Sequence, residues 1–388
     1  MRMRRKLIWV VVAALVAVGC GRSADSAERA VPPKKPGELV AQKPLDIRDA
    51  GLSASAASAT YMRYISTAPD KSTVEVSGAV YLPRGQAPEK GWPVVAFAHG
   101  TSGVAQQCAP TNSPDLFGSA DTVAELLDQR TAVVMTNYQG LDGPGASPYL
   151  DGPALGFDVL DSVRAARGLG LPLSDRTVLY GVSQGGRAAQ SAAETAASYA
   201  PELNIVGNVL VNPALRVEVA SDIQAGTLSR DQYLILPYVL AGLRYHHPDY
   251  TDDRILHGDL LAAAPRLAST CTGQMTRADT ALGASAKPDE VRFVDDAARR
   301  TFTDYVTRTN LPQSPTRIPT LVLRADRDVL VNTAWSTAAV ADMCRLGIPV
   351  QDNILPGDHG GFTEGGDRWK PWIADRFAGN PPPPATCG

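Results

Sequence analysis

The chain has 388 residues, of which 44% are hydrophobic, and its formal net charge is -3 at pH 7. This length and apolar content are enough for one large domain or two modest ones with a buried core. Aromatic residues make up only 6% of the chain, and no basic tract follows the N-terminus. The composition therefore argues against nucleic acid as a partner.

The first 20 residues have the pattern of a bacterial secretion signal. A basic stretch precedes the apolar run 7–18, which is shorter than the roughly 20 residues that a membrane-spanning helix needs. Residues 17–20, Ala-Val-Gly-Cys, resemble a lipoprotein lipobox with alanine where leucine is usual. Cys20 is therefore a candidate for lipidation and membrane anchoring, and plain cleavage nearby is the alternative. We expect a secreted or cell-envelope-attached bacterial protein.

The remaining cysteines suit an oxidising compartment. An even number of cysteines in an exported protein predicts two disulfide bonds. The four candidates are Cys108, Cys271, Cys344 and Cys387. Of the three possible pairings we favour Cys108 with Cys271 and Cys344 with Cys387, and the alternative is that one or more are free buried thiols.

The first part of the chain changes from a tether to regular strands. Residues 21–55 are rich in charge, alanine and proline without periodicity, and we expect a leader or tether there. Alternating residues over 59–66 and 74–83 predict two strands of an antiparallel hairpin at a sheet edge.

From residue 93 onward, strand and helix patterns alternate. Continuous apolar runs predict buried strands, and apolar residues at helical spacing predict the helices between them. The predicted strands are 93–98, 131–136, 178–182 and 205–211, and the predicted helices are 121–129, 154–167 and 187–200. This alternation is typical of a mostly parallel, doubly wound sheet.

The alternation is interrupted between residues 212 and 318. Helical periodicity without a strong strand predicts an inserted helical cap, with helices at 233–243, 256–267 and 295–307. The core then resumes with strands at 319–323 and 350–355 and helices at 333–346 and 369–377. We therefore expect an α/β core of residues 56–211 and 319–380, a cap of residues 212–318, and a closing proline tail unless Cys387 pins it.

Residues 181–185, Gly-Val-Ser-Gln-Gly, lie between a predicted strand and a predicted helix. This Gly-x-Ser-x-Gly pattern is typical of a nucleophile elbow, in which small neighbours leave room for a strained serine. Ser183 is therefore the candidate nucleophile. A glycine-rich turn without chemistry is the alternative for the five residues alone.

A serine nucleophile needs a histidine base and a carboxylate that orients the histidine. His359 follows the last predicted strand and has glycines on both sides, so it is the candidate base. The other four histidines precede Ser183 or lie in the cap. The strand at 319–323 ends near Asp326 and Asp328, and periodicity alone dismisses neither as the acid. For both carboxylates the alternative is a solvated loop position that caps the next helix.

Acyl transfer also needs two backbone N–H donors for the developing oxyanion. Gln184, directly after the nucleophile, is one candidate. The loop 99–103, which follows the strand at 93–98, is the expected source of the second donor. We select Thr101, with Gly100 as the next candidate, and the alternative is that this loop is only a turn.

Three motifs together resemble the secretory lipase family of the alpha/beta-hydrolases. They are His-Gly-Thr-Ser-Gly at 99–103 followed by Cys-Ala-Pro at 108–110, Asn-Tyr-Gln-Gly-Leu at 137–141 with Pro-Tyr-Leu at 148–150, and Gly-Val-Ser-Gln-Gly-Gly at 181–186. The resemblance extends from about residue 60 to residue 377. It implies an alpha/beta-hydrolase fold with a helical cap over the site, no metal and no organic cofactor. The family often has aspartate where Asn137 stands, so the resemblance assigns this position no role.

The resemblance also implies roles for the site residues. Ser183, Asp328 and His359 take the triad roles, and Thr101 and Gln184 take the oxyanion roles. In the hydrolase pattern an apolar pair closely follows the acid, which selects Asp328 over Asp326. Residue 325 is alanine where that pattern has glycine.

The expected function is the hydrolysis of lipid or short-to-medium acyl esters by an exported monomer. One alternative is a peptidase or an acyltransferase on the same scaffold. An acidic cluster in the cap that could hold a free amine would favour a peptidase, and the cap has only dispersed candidates: Asp249, Asp252, Asp253 and Asp259. The other alternative is a non-catalytic, surface-anchored lipid-binding protein.

Overall fold

The computed structural model describes residues 34–387. The expected secretion signal, the lipidation candidate Cys20 and the first part of the expected tether lie outside these residues. Within the described part of the chain, none of the helices is both long and apolar enough to cross a membrane.

A nine-stranded sheet lies at the centre of residues 34–387. Its strands are β1 Leu39–Pro44, β2 Ala56–Thr67, β3 Thr73–Pro83, β4 Trp92–Ala98, β5 Ala132–Thr136, β6 Leu173–Val182, β7 Asn204–Val211, β8 Thr320–Ala325 and β9 Val350–Leu355. The spatial order is β1-β2-β3-β5-β4-β6-β7-β8-β9. The pairings β1 with β2, β2 with β3 and β3 with β5 are antiparallel, and the others are parallel. The sheet is therefore mostly parallel, as the sequence predicts.

Apolar side chains on both faces explain the parallel part of the sheet. Every residue of β5 is buried, and so are six of the seven residues of β4. A strand that helices cover on both sides must be apolar on both faces. The register places Phe97 of β4 beside Tyr180 of β6, and Leu210 of β7 beside Val322 of β8. These buried pairs hold the carboxyl ends of the four strands at one edge of the sheet.

Helices cover both faces of this sheet. The described residues form eleven α-helices: α1 Ala50–Ser55, α2 Ala120–Asp128, α3 Gly152–Arg167, α4 Gln184–Tyr199, α5 Val219–Ala225, α6 Arg230–His246, α7 Gly258–Ser269, α8 Arg277–Ser285, α9 Asp296–Thr309, α10 Thr333–Arg345 and α11 Trp369–Ala378. Helices α3, α4 and α10 pack on the face that includes Val94 and Ala96, and α1, α2 and α11 pack on the face that includes Val95 and Phe97. Neighbouring residues of one strand thus contact opposite helix layers.

Helices α5 to α9 form the cap between β7 and β8. They share an apolar cluster that also includes Tyr149, Leu150, Val331 and Trp335 from the core. The three helices that the sequence predicts are α6, α7 and α9. Helices α5 and α8 are not predicted from the sequence. The buried residues of α8 are only Asp279 and Gly283, so the segment has little apolar periodicity to detect.

The buried Arg187 joins helix α4 to both ends of the cap. Its guanidinium donates hydrogen bonds to the carbonyl oxygens of Leu150, Ala214, Leu215 and Thr309. Ala214 and Leu215 lie between β7 and the first cap helix, and Thr309 ends the last cap helix. Burial lowers the pKa of Arg187 to about 10, which leaves it protonated near neutral pH. Arg187 therefore ties the cap to the helix that follows the candidate nucleophile.

Residues 39–55 are not a tether, contrary to the sequence-based expectation. Residues 39–44 form β1, which pairs with β2 in a register that places Gln42 beside Met62. Helix α1 begins after Asp49, whose carboxylate accepts a hydrogen bond from the N–H of Leu52 at 2.8 Å. The side chains of β1 are half-buried or exposed, so backbone hydrogen bonds rather than apolar burial hold this edge strand. Such a strand has no compositional signature.

Both favoured disulfide bonds are present. Cys108 is bonded to Cys271 with a Cα–Cα distance of 5.2 Å, and Cys344 is bonded to Cys387 with a Cα–Cα distance of 5.4 Å. The first bond joins the loop after β4 to the cap, and the second joins α10 to the C-terminal tail. The N–H of Thr386 also donates to the carbonyl oxygen of residue 350 at 2.9 Å. The tail is therefore pinned against β9 beyond its proline run.

Candidate active site

Ser183 lies at the turn between β6 and α4, with φ 54° and ψ -115°. These angles are strained for any residue with a side chain. An ideal Cβ at Gly181 would lie 2.0 Å from the carbonyl oxygen of Gly185, and one at Gly185 would lie 1.8 Å from that of Ala98. Only glycine fits at both positions. The chain can therefore pass directly from strand to helix with Ser183 at the end of the sheet.

Ser183, His359 and Asp328 form a hydrogen-bonded series. The Nε2 atom of His359 lies 2.9 Å from the Oγ of Ser183, and Nδ1 lies 2.6 Å from Oδ2 of Asp328. Because a carboxylate only accepts hydrogen bonds, Nδ1–H donates and Nε2 is left to accept the serine hydroxyl proton. The other oxygen of Asp328 accepts hydrogen bonds from the N–H groups of Leu330 and Val331 at 3.0 and 2.9 Å. The carboxylate is thus fixed on both sides.

Asp326, the alternative acid, has a different partner. Its Oδ1 accepts a hydrogen bond from the N–H of Gly357 at 2.9 Å. Both aspartates therefore contact the segment that carries His359, but Asp328 is the one that hydrogen-bonds the imidazole. The turn after β8 separates the two carboxylates.

The loop 99–103 lies beside the elbow. An ideal Cβ at Gly100 would lie 3.8 Å from the Cβ of Ser183. Gln184 is the first residue of α4, where backbone N–H groups have no intrahelical acceptor and the helix dipole is positive. Thr101, Ser183 and Gln184 line the same cavity. The structure therefore brings both candidate oxyanion residues close to Ser183.

A cavity of about 410 Å³ adjoins Ser183 and His359. Its apolar lining comes from the core and from the cap, and includes Leu150, Val182, Trp335, Val217, Ile235 and Val239. Among the described residues that line it, none is an aspartate, a glutamate, a lysine or an arginine. An unpaired charge would lose its hydration there without a compensating partner, so the cavity suits uncharged, apolar groups.

Two residues outside the predicted site hold the loop 99–103. The hydroxyl oxygen of Tyr149 lies 2.8 Å from Oγ1 of Thr101. The hydroxyl of Thr272 donates to the carbonyl oxygen of Thr101 at 3.0 Å, and its N–H donates to that of Ser102 at the same distance. Thr272 follows the disulfide-bonded Cys271 in the cap. Tyr149 belongs to the Pro-Tyr-Leu motif at 148–150, so the sequence motif could have indicated it. No local sequence pattern indicates Thr272.

Asn212 is a further residue that sequence reasoning missed. It directly follows β7, and its side-chain amide donates to the carbonyl oxygens of Asp358 and His359. A polar residue at the carboxyl end of a buried strand is the signal that could have found it, because strand ends of this kind meet at the site of an open α/β sheet.

The other four histidines do not line the cavity in the described structure. His246 lies 3.1 Å from a carboxylate oxygen of Asp151, and Nε2 of His257 lies 3.0 Å from the carbonyl oxygen of Arg292. Within residues 34–387, no cluster of three or more His, Cys, Asp or Glu side chains could hold a metal ion. His359 is therefore the histidine in contact with the elbow.

His99 is buried on the ring of Tyr138, with 4.3 Å between ring centroids. Its Nδ1–H donates to the carbonyl oxygen of Gly100 at 2.6 Å. Burial lowers the pKa of His99 to about 4, so the ring is neutral in the folded protein. Because the folded pKa lies below the unfolded value of about 6.5, the unfolded chain binds the proton first. This contribution to stability is present above pH 6.5 and is lost as the pH falls toward 4.

The variant His99→Asn is expected to be less sensitive to acid than the wild type. Between pH 7 and pH 5, the free energy of unfolding of the wild type should fall by about 2 kcal/mol relative to that of the variant. Urea denaturation at the two pH values measures this difference. Asparagine keeps a donor for the carbonyl of Gly100, which favours a folded variant.

The pH dependence of the free energy of unfolding must be compared between wild type and His99→Asn. Another buried group, Asp158, changes this free energy with pH in the opposite direction. Burial raises the pKa of Asp158 to about 7, so its contribution to stability grows as the pH falls. Asp158 is present in both proteins and cancels in the comparison. His257→Asn on the cap is the matched control. Equal pH slopes for wild type and His99→Asn would contradict a neutral, buried His99.

Known proteins resemble this chain in sequence and in fold. A family model described as secretory lipase matches residues 118–384, more than half of the chain. A Mycobacterium tuberculosis protein named a probable inactive lipase is 25% identical over 367 residues, which cover 89% of this chain and 79% of that protein. Candida antarctica lipase A in its closed state is similar with a TM-score of 0.70 at 19% identity, covering 91% of this chain and 85% of that one. The rice cell wall degrading esterase LipA from Xanthomonas oryzae has a TM-score of 0.65 at 19% identity, covering 88% and 96%. These similarities confirm the alpha/beta-hydrolase fold.

Proposed function

Because the chain belongs to the secretory lipase family, we propose that it is an exported serine hydrolase that cleaves carboxylic esters. The observation that carries this proposal is the series Ser183–His359–Asp328 beside an apolar cavity. A hydroxyl, a base in contact with it and a carboxylate that sets the tautomer of the base are the groups that nucleophilic acyl transfer needs.

In the first half of the proposed reaction, the Oγ of Ser183 attacks the ester carbonyl carbon. Nε2 of His359 takes the hydroxyl proton, and Asp328 stabilises the imidazolium that forms. The carbonyl oxygen becomes an oxyanion, and the N–H groups of Thr101 and Gln184 donate hydrogen bonds to it. The alcohol then leaves with the proton from Nε2, and the acyl group stays on Ser183.

In the second half, water replaces the alcohol. His359 takes a proton from the water, which attacks the acyl carbon, and the same N–H groups stabilise the second oxyanion. The carboxylic acid then leaves and the Ser183 hydroxyl regains its proton. Each step in which Nε2 accepts a proton uses the tautomer that the hydrogen bond between Nδ1–H and Asp328 maintains.

The lining of the cavity favours esters with apolar acyl or alcohol groups as substrates. Cap residues Val217, Ile235 and Val239 and core residues Leu150 and Val182 all contribute apolar surface. Burial of such groups is favourable at roughly 25 cal/mol for each Å² removed from water. We therefore propose lipid or short-to-medium acyl esters as the substrate class.

A peptidase that binds a free amine is less well supported. Such an enzyme needs a carboxylate near the site, and no described aspartate or glutamate lines the cavity. Asp252, one of the dispersed acidic residues of the cap, pairs with Arg244, and Asp253 accepts a hydrogen bond from Thr251. Both carboxylates are thus bonded to other side chains, and neither lines the cavity where an amine would have to bind.

The name of the Mycobacterium tuberculosis relative raises a non-catalytic alternative. That protein is named a probable inactive lipase, and it is 25% identical to this chain. In the present chain, the imidazole of His359 lies within hydrogen-bonding distance of the Ser183 hydroxyl and of the Asp328 carboxylate. This arrangement supports an active enzyme over a lipid-binding protein that has lost its chemistry.

The two disulfide bonds support the proposal of export, because disulfides persist mainly in oxidising compartments outside the cytoplasm. Attachment to the membrane through a lipidated Cys20 stays a prediction, as that residue lies outside the described range.

A serine-reactive fluorophosphonate probe and an ester series test the proposed function together. We expect the purified protein to hydrolyse p-nitrophenyl esters, and the probe to abolish this activity and to modify the peptide that contains Ser183, as mass spectrometry would show. Heat-denatured protein is the control for non-specific labelling. A folded protein that neither hydrolyses the esters nor reacts with the probe would support the non-catalytic alternative. Faster cleavage of amino-terminal peptide substrates than of esters would support a peptidase.

A further inference from the structure

The segment that carries His359 has little rigidity of its own. Residues 357–361 include three glycines, and glycine loses more conformational freedom on ordering than any other residue. The segment and the adjacent Phe362 form a small antiparallel sheet of two residue pairs, Gly357 with Phe362 and Asp358 with Gly361. The imidazole must nevertheless stay within hydrogen-bonding distance of two partners. Contacts from outside the segment must therefore restrict it.

The side chain of Asn212 makes two such contacts and a third hydrogen bond to β8. Asn212 is only 3% exposed. Its Nδ2 lies 3.2 Å from the carbonyl oxygen of Asp358 and 3.3 Å from that of His359, and it donates to both. Its Oδ1 accepts a hydrogen bond from the N–H of Ala325 at 2.8 Å. One buried amide therefore joins the backbone of the base to the end of β8, the strand that leads to the acid.

The backbone around Asn212 is also bonded to the nucleophile. The carbonyl oxygen of Val211 accepts from the N–H of Ser183 at 2.9 Å, and the N–H of Ala214 donates to the carbonyl oxygen of Ser183 at 3.0 Å. The N–H of Asn212 itself donates to Leu323 of β8 at 2.8 Å. The segment 211–214 thus holds the nucleophile on both sides while one of its side chains reaches the base.

We propose that Asn212 is a positioning residue that orients His359 toward Ser183, an inference that rests on the proposed function for its kinetic consequence. Asparagine suits this place for two reasons. Its amide is both donor and acceptor, whereas aspartate has no donor and an aliphatic side chain has neither. Its φ is 42°, in the left-handed region that asparagine tolerates better than most residues.

Two variants at position 212 and one control separate positioning from stability. Asn212→Gly deletes the amide and tolerates the positive φ. Asn212→Asp keeps the acceptor for the N–H of Ala325 but turns an oxygen toward two carbonyl oxygens. Asn208→Ala is the matched control. Asn208 lies on β7, the strand that Asn212 directly follows, and is fully buried, but its side-chain amide donates to Gln190 and Thr320 instead of the His359 segment.

For Asn212→Gly we expect kcat for a soluble ester to fall roughly 10- to 100-fold, with KM within about twofold of the wild-type value. A displaced base slows proton transfer but leaves the apolar cavity unchanged. Asn208→Ala should have a lower melting temperature and a wild-type kcat per folded molecule. If Asn212→Gly does not fold, Asn212→Asp replaces it in the test. The same result is expected, a lower kcat with a nearly unchanged KM.

Proton NMR supplies a measurement that does not need activity. The Nδ1–H of His359, bonded to Asp328 at 2.6 Å, is expected to give a far-downfield resonance in the wild type and in Asn208→Ala. In the position 212 variants this resonance should broaden or disappear. If the wild type hydrolyses no ester, the proposed function fails, and this signal alone decides the role of Asn212.

Two outcomes would overturn the inference. One is a position 212 variant that folds and keeps both the wild-type kcat and the downfield resonance. The other is an equal loss of kcat in Asn208→Ala, because the effect would then follow from reduced stability rather than from the orientation of His359.

Discussion

Replacement of Ser183 by alanine is expected to lower kcat for ester hydrolysis by roughly four to six orders of magnitude. Alanine removes the nucleophile and keeps the Cβ, so the strained turn with φ 54° is preserved. The hydroxyl hydrogen-bonds Nε2 of His359, and its loss leaves the imidazole with no proton to accept from residue 183. The remaining rate would come from water attack assisted by the oxyanion donors. Initial rates on a soluble ester, together with the loss of fluorophosphonate labelling, measure this effect.

Ser191→Ala is the matched control for this variant. Ser191 is a buried serine of the same helix, about two turns beyond the elbow. Its replacement should leave kcat and labelling at the wild-type level. Comparable turnover by Ser183→Ala and wild type would show that another group is the nucleophile.

Replacement of Asp328 by asparagine is expected to lower kcat by roughly 10³- to 10⁴-fold. The carboxylate accepts from Nδ1–H of His359 on one oxygen and from the N–H groups of Leu330 and Val331 on the other. An asparagine that keeps the two backbone bonds must direct its NH₂ group at Nδ1. The imidazole then carries its proton on Nε2, where it cannot accept one from the serine. Ester kinetics at neutral pH measure the loss.

Asp326→Asn separates the two candidate acids. Asp326 uses one oxygen to accept from the N–H of Gly357 at 2.9 Å, and asparagine retains an oxygen for that bond. Its ion pair with Arg327 is exposed and contributes little to stability. We therefore expect kcat to stay within about threefold of the wild type. If kcat falls more in Asp326→Asn than in Asp328→Asn, Asp326 rather than Asp328 is the acid that orients His359.

The loop 99–103, which carries the candidate oxyanion donor Thr101, depends on the cap as well as on the core. Thr272 bonds the backbone of Thr101 and Ser102, and the adjacent Cys271 is covalently joined to Cys108. The cap therefore contributes to the cavity wall and also supports the loop that carries a candidate oxyanion donor. The candidate active site therefore needs both the α/β core and the cap.

Local sterics and periodicity made much of the protein predictable. Continuous apolar runs identify strands that helices cover on both faces, because most side chains on either face of such a strand are buried. Gly181 and Gly185 identify the elbow, since a Cβ at either position would overlap backbone atoms. The alpha/beta-hydrolase fold follows from these patterns and from the motifs, and the similar solved structures confirm it.

Features that depend on backbone hydrogen bonds or on distant segments were not predictable. The edge strand β1 has no apolar stripe, because its partner β2 holds it through the main chain. Helix α8 buries too few apolar residues to show a period. Asn212 and Thr272 contact residues more than a hundred positions away. The end of a buried strand marks Asn212 as a candidate position, but no local pattern indicates its partners or Thr272.

The sequence by itself determined the nucleophile candidate, the base candidate and the sheet that carries them, because short-range sterics and strand burial restrict which residues fit. Periodicity left Asp326 and Asp328 open and the family pattern favoured Asp328, but only the tertiary structure shows which carboxylate hydrogen-bonds His359. The two residues lie two positions apart in a turn, and the directions of their side chains depend on how the chain leaves β8 and meets the His359 segment. That geometry arises from contacts among β7, β8 and the segment 357–361, which are distant in the chain and adjacent only after folding.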